Sequence, residues 1–187
     1  RPSLNQKLRP VLGKLMVGLE YLFFRSGPLA MSLNQAGGFV KSEPSLGSPD
    51  LQLYFSPLSY STAPQGKRPL MSPDPYPAVR LGFNPTKPTS EGWISLESSD
   101  PLKSPKFVGN YLSTEEDKKV MIIGMHLMRK FLQTKAMKNI VVEEISPGPD
   151  FKDDESFMDF ARDEGGTVFH QCGTCRMGTD VSSSVVD

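Results

Sequence analysis

Nine consecutive residues near the end of the chain hold much of its reactive chemistry: His170-Gln171-Cys172-Gly173-Thr174-Cys175-Arg176-Met177-Gly178. They include one of the two histidines and both cysteines. Small and glycine neighbours suit a tight turn that aims a side chain into a pocket. Three chemistries are open to it. His170, Cys172 and Cys175 form H-x-C-x-x-C, and a structural zinc site would need His126 or a carboxylate to close the tetrahedron. The zinc-deaminase pattern would need H-x-E ahead of P-C-x-x-C, and the sequence lacks it. The C-x-x-C pair could exchange disulfides, yet Arg176-Met177-Gly178-Thr179-Asp180 does not read as the helix start that thioredoxin-like sites place there. The third chemistry is acid–base work by His170, since imidazole can take a proton from a hydroxyl near neutral pH. The residues alone leave this open against a purely structural turn.

The elements that must position this turn follow from periodicity. Thr167-Val168-Phe169 reads as a strand delivering His170. Before it, Asp153 to Arg162 reads as a short helix with Phe157, Phe160 and Ala161 inward, stopped by Gly165-Gly166. Ser113-Thr114-Glu115-Glu116 is a capping box. It opens a helix to about Thr134 whose buried stripe is Val120, Gly124, Leu127, Met128, Phe131 and Leu132. His126 lies on the flank of that stripe, as a partly exposed or hydrogen-bonded helix histidine. Ile140 to Ile145 is a candidate strand broken by Pro147-Gly148-Pro149.

Upstream, Pro10 opens a helix in which Val11, Leu12, Leu15, Met16, Leu19, Leu22 and Phe23 recur at three- and four-residue spacing, the pattern of a core-packing helix. Ser26-Gly27-Pro28 ends it. Gly37-Gly38 lets the backbone bend or approach a neighbour, and Phe39-Val40 begins a strand. Gln35, just ahead, could point into a pocket. Asp50 to Ser56 alternates as a strand, as does Ala78 to Asn84. Gly92 to Glu97 follows as the latter's antiparallel neighbour, and Lys106 to Asn110 is a short strand at best. The proline-rich stretch Pro57 to Pro77 is a long loop that could cover a site.

Composition narrows the function classes. The chain has 187 residues, 37% hydrophobic and 22% charged, enough for one domain spanning 1–187. Lysine plus arginine balances aspartate plus glutamate at 21 each, so no basic surplus points to nucleic acid. The apolar run Val11 to Phe24 contains Lys14 and Glu20 and falls short of a membrane span. It also lacks a signal-peptide cleavage pattern. Two cysteines make no disulfide framework, so a reducing, cytoplasmic compartment is the default. A start at Arg1 and a strand-like end in Val185-Val186-Asp187 carry the expectation of a piece of something larger.

The nine-residue segment closely resembles the H-x-x-G-T-C-R-M-G signature of glucose–methanol–choline (GMC) flavoprotein oxidoreductases, choline and alcohol dehydrogenases among them. Other blocks agree in order. Ser26-Gly27-Pro28-Leu29-Ala30 is similar to the family's S-G-P-L-A, and Gln35-Ala36-Gly37-Gly38-Phe39-Val40 to its (E/Q)-A-G-G-F-(V/I). Ser99-Asp100-Pro101, Pro105 and Asn110-Tyr111-Leu112 resemble its D-P-x-x-x-P…N-Y-L stretch, and Val185-Val186-Asp187 the strand after the signature. The resemblance implies an α+β substrate-binding domain with a mostly antiparallel sheet of about five or six strands flanked by helices, two longer and one short. It implies FAD as cofactor, an alcohol as substrate, and His170 as the base that takes the hydroxyl proton while hydride moves to flavin N5. Gln35, Gln171 and Cys172 become candidate substrate-binding residues, Cys172 and Cys175 packing residues, and no metal is implied. No G-x-G-x-x-G occurs in the chain, so the missing FAD-binding portion is an expected partner and the chain alone is expected not to turn over. Gln35 stands where choline-oxidising members carry a carboxylate, which favours a neutral or aliphatic alcohol over a trimethylammonium cation. The alternatives are a non-redox lyase of the same fold and a zinc-stabilised binding module using Cys172, Cys175 and a histidine.

Overall fold

A computed structural model describes residues 3–61 and 72–187. Its centre is strand β2 (Leu51–Ser56), which alternates side chains on a pleated surface and buries Leu51 completely. β1 (Ala36–Val40) and β5 (Arg80–Pro85) pair antiparallel on either side of it, with Gly38, Leu53 and Phe83 in one row. The expected α+β class with antiparallel strands holds, and the strands are divided among three small sheets. Two-stranded pairs form between β3 (Tyr60–Ser61) and β4 (Ser72–Pro73), and between β6 (Trp93–Ser95) and β7 (Lys106–Val108). β5 and β6 were expected to be neighbours. Instead β5 pairs with β2 and β6 with β7.

Helix α3 (Glu115–Leu132) lies across β5. The approach is close because position 124 has no side chain: a Cβ there would sit 2.1 Å from the ring of Phe83. The helix N-cap is Thr114, whose hydroxyl accepts from Asp117 N–H, one residue beyond the expected Ser113. A single turn, α4 (Lys135–Lys138), follows it. α5 (Asp154–Glu164) is capped by Asp153 and ends at Gly165. It buries Phe157, Met158 and Ala161 against α3. His126 on α3 is exposed, 2.8 Å from Asp154 and edge-on to Phe157, a hydrogen-bonded helix histidine as expected.

The expected strand over Ile140 to Ile145 does not form. Arg129 draws the following segment onto α3, with Nε and Nη2 on Glu144 at 3.0 and 2.7 Å and Nη2 on the Gly148 carbonyl at 2.7 Å. Nη1 reaches the Phe151 carbonyl. The guanidinium also stacks 4.5 Å above Phe157. These contacts hold 144–151 as an irregular connection, and no strand partner faces 140–145 among the described residues.

At the other end, α1 (Leu4–Leu8) is one capped turn whose buried Asn5 ties it to the β3–β4 pair. Its amide donates to Ser59 Oγ (2.9 Å) and the Tyr76 carbonyl (3.0 Å), and its Oδ1 accepts from Ser59 N–H (2.9 Å). α2 (Val11–Phe24) forms over the predicted stretch, yet it is not core-packed within this chain: Val11, Leu12, Leu15, Met16, Leu19, Leu22 and Phe23 are all exposed and only Val17 is buried. Its sequence carries apolar residues on most sides, and the chain supplies neighbours for only one. Nor is this confined to α2. The accessible surface is 14039 Å², against about 8,900 Å² for a compact monomer of this mass. The proline-rich stretch expected as a site-covering loop lies in part, at 62–71, outside the described residues.

Candidate active site

The His170 turn leaves α5 through Gly165-Gly166. The expected strand Thr167-Val168-Phe169 is absent, because Phe169 adopts a left-handed backbone (φ 59) that breaks any extended run into His170. Gly173 follows at φ 94, which glycine adopts without a Cβ penalty. The turn is closed farther on by Gly178 N–H donating to the Val186 carbonyl (2.9 Å) and Val185 N–H donating to the Arg176 carbonyl (2.8 Å). Met177 and Val186 form a single parallel bridge there, so the apolar end of the sequence seats the turn rather than extending a sheet.

Two anchors hold the turn from outside. On one side of His170, Gln171 Nε2 donates to the Tyr111 phenol oxygen (2.9 Å) and to Thr167 Oγ1 (2.6 Å). Thr167 Oγ1 also accepts from Phe169 N–H (3.0 Å). Hydrogen bonds from Thr167 and then Gln171 hold the Tyr111 phenol below its usual range. On the other side, Arg176 Nη2 meets Glu91 Oε1 at 2.5 Å. Both anchors lead back to the start of α3. Asn110 Nδ2 donates to the Glu91 carbonyl (2.9 Å), and Ser90 Oγ accepts from Ser113 N–H (2.9 Å). Asp117, buried in the first turn of α3, accepts from Thr89 N–H (2.8 Å), Thr89 Oγ1 (3.0 Å) and Ser90 N–H (2.9 Å). Burial pushes this carboxyl upward, and the hydrogen bonds from Ser90 and Thr89 outweigh that and hold it below the usual carboxylate range.

His170 itself is exposed, and no described residue hydrogen-bonds its imidazole. Exposed Phe169 and Met177 share its turn, and exposed Tyr111 is tied to it. Cys172 and Cys175 are also exposed as free thiols, so this chain by itself does not supply the packing that the resemblance implies for them. Among the described residues no group of three His, Cys, Asp or Glu side chains is placed to hold a metal ion. Thus His170, Gln171 and Cys172 come together on one turn. Gln35 does not join them. It precedes β1, anchored by its N–H on the Phe55 carbonyl (2.9 Å), and lines a separate cleft of about 330 Å³. Leu4, Leu8, Leu29, Met31 and Lys14 also line that cleft.

The arrangement offers an exposed imidazole with exposed Phe169 and Met177 on the same turn and exposed Tyr111 tied to it. That fits a planar ring laid against the turn. It supplies no glycine-rich cradle for a pyrophosphate, so these residues fit one face of a dinucleotide cofactor and not its phosphate end. Glu91, Tyr111 and Thr167 were missed as site residues by the sequence. Asn110-Tyr111-Leu112 was marked only through resemblance, and nothing in spacing connects position 111 to 171.

Residues 88–187 match the family model described as GMC oxidoreductase. Oxygen-dependent choline dehydrogenases of Staphylococcus xylosus and Staphylococcus saprophyticus are 32% and 33% identical over the full length of the chain, which covers 32% of each. The chain therefore spans about a third of the length of the curated relatives it matches. Among solved structures, an R554K variant of Aspergillus oryzae formate oxidase superposes with a TM-score of 0.80 at 20% identity, over 99% of this chain and 36% of that one. Pyridoxine 4-oxidase from Mesorbium loti superposes at 0.65 and 21% identity, over 83% of this chain and 30% of that one. At those identities the likeness is one of fold.

Proposed function

Because the chain belongs to the GMC oxidoreductase family, we propose that it is the substrate-binding part of an FAD-dependent enzyme oxidising the CH–OH group of an alcohol, with His170 as proton acceptor. The observation that carries this is the His170 turn itself. It lies within the matched region, is fixed at both ends, and presents an imidazole free of protein partners among the described residues.

In this reading FAD, when bound, supplies the acceptor for the hydride leaving the alcohol carbon. The chain's own residues do the rest. His170 takes the hydroxyl proton as the carbonyl forms, and general-base assistance of this kind is worth about 10²–10⁴ in rate. Gln171 and Cys172, next along the turn, are its other candidate substrate contacts, with Gln171 Nε2 itself held by Tyr111 and Thr167. Gln35 stays a candidate binding residue through the resemblance, and its side chain, neutral where choline-oxidising members carry a carboxylate, suits an uncharged alcohol better than a cation. The whole of 1–187 acts as one substrate domain, and the FAD-binding portion of the same enzyme is its partner. Alone, the chain does not turn over. No helix among the described residues is long and apolar enough to cross a membrane.

The test is anaerobic flavin bleaching by alcohols in the longer, FAD-loaded protein. His170→Ala is expected to slow bleaching by about 10²–10⁴. A His170→Ala enzyme that bleaches at the wild-type rate would sink the assignment of the base, and a longer protein holding no flavin would sink the oxidoreductase reading as a whole.

A further inference from the structure

We propose that Tyr111 is a positioning residue: its phenol oxygen, which accepts from Gln171 Nε2, locks the turn that presents His170. The inference rests on the reading of His170 as the base and goes beyond it, to the contacts that hold that base in register.

Three observations converge. The first is connectivity. Gln171 Nε2 bridges Tyr111 Oη and Thr167 Oγ1, and Thr167 Oγ1 takes the N–H of Phe169, so the phenol oxygen holds Gln171 directly and reaches Phe169 through Gln171 and Thr167. Tyr111 lies 60 positions from Gln171, so this tie is tertiary and not a local turn preference. The second is backbone conformation. Asn110 (φ 50), Leu112 (φ 55) and Phe169 (φ 59) are three of the four non-glycine residues in left-handed backbone among those described. Asn110 and Leu112 flank Tyr111, and Phe169 lies two residues before Gln171. Asparagine tolerates that region, whereas leucine and phenylalanine are strained in it. Such conformations persist where surrounding contacts over-determine them. The third is the second anchor, Arg176 on Glu91, whose backbone carbonyl is bonded by Asn110. The segment 91–111 thus grips the turn before and after Gly173, and Tyr111 is the grip next to the imidazole. The lowered phenol pKa agrees, because Thr167 and Gln171 donate toward the oxygen.

Tyr111→Phe removes the acceptor and keeps the ring. In the longer, FAD-loaded protein it is expected to speed amide hydrogen exchange at Phe169, whose N–H is held by Thr167 Oγ1, about tenfold, the loss of roughly one hydrogen bond. Flavin reduction is expected to slow by about tenfold or more at saturating alcohol, with substrate affinity unchanged, because misplacement of the base acts on the chemical step. Tyr111→Phe and Gln171→Leu are expected to be strongly non-additive, since they break the same tie. Unchanged exchange at Phe169 in Tyr111→Phe overturns the proposal, as does a variant that weakens substrate binding with no effect on saturated reduction. His170→Ala is measured in parallel. Should it reduce at the wild-type rate, the base assignment fails whatever the exchange shows. Should it be slow while Tyr111→Phe matches wild type in both readouts, the tie alone fails.

Discussion

One carboxylate underlies the candidate site. Asp117 takes two hydrogen bonds from Thr89 and one from Ser90, and it fixes the segment that continues into Glu91 and its ion pair with Arg176. An amide cannot replace it. Asparagine could accept from Thr89 on one side but would turn N–H groups toward the Ser90 N–H on the other. Asp117→Asn is therefore expected to destabilise by about 1–3 kcal/mol at neutral pH. The sign with pH comes from the depressed folded-state pKa. The stabilisation is fully present above the unfolded value, about 3.9, and is lost as the pH falls through the lower folded value. Urea unfolding of wild type and variant at pH 7 and in strong acid should show the gap closing on acidification. A gap of equal size at both pH values would mean that the charge is not the source of the stabilisation.

At the scale of elements, the packing of α3 on β5 is set by Gly124 and Phe83. Gly124→Ala would place a methyl group within 2.1 Å of the ring and is expected to cost about 1–3 kcal/mol by overpacking. The double variant with Phe83→Leu should recover much of that loss in thermal unfolding, and a Gly124→Ala protein as stable as wild type would show the contact to be loose. The stripe containing Gly124 was legible in the sequence because α3 combines a capping signal with clean helical periodicity over eighteen residues. α5 was legible for the same reasons, and β2 by alternation. The features that were not legible depend on partners distant in the chain. β5 reads the same whether it pairs with β2 or with β6. Ile140 to Ile145 is apolar and extended, but Arg129 recruits residues 144–151 onto α3, leaving Val142 97% exposed. Thr167-Val168-Phe169 has strand-forming residues, and the left-handed Phe169 overrides them. Within the site, His170 was legible through its motif. Its tethers Tyr111 and Glu91 were not, because a hydrogen bond across 60 residues and an ion pair across 85 leave no mark in local spacing.

For the whole molecule, the balance of buried and exposed surface predicts a loosely packed chain when it is produced alone. Seven apolar residues are buried among those described, against an accessible surface about half again that of a compact monomer. Ordering each residue costs on the order of 1–2 kcal/mol of conformational entropy, and only apolar burial of comparable size offsets it. The unburied side chains are not scattered. They include the stripe of α2, Trp93, Ile94 and Phe107 on the β6–β7 pair, and Phe169 and Met177 on the His170 turn. Exposed apolar surface on this scale is the kind a neighbouring domain covers. The 187-residue chain produced alone is thus expected to bind the dye ANS strongly and to unfold over a broad, weakly cooperative transition, as loosely packed states do. The longer protein should bind little dye and unfold sharply. The comparison also bears on His170, which is exposed in this chain and would need its turn covered to react away from water. If the isolated chain proves ANS-silent with a sharp transition, its own core suffices, and the exposed face of α2 and the His170 turn would then need no neighbouring domain to stay folded.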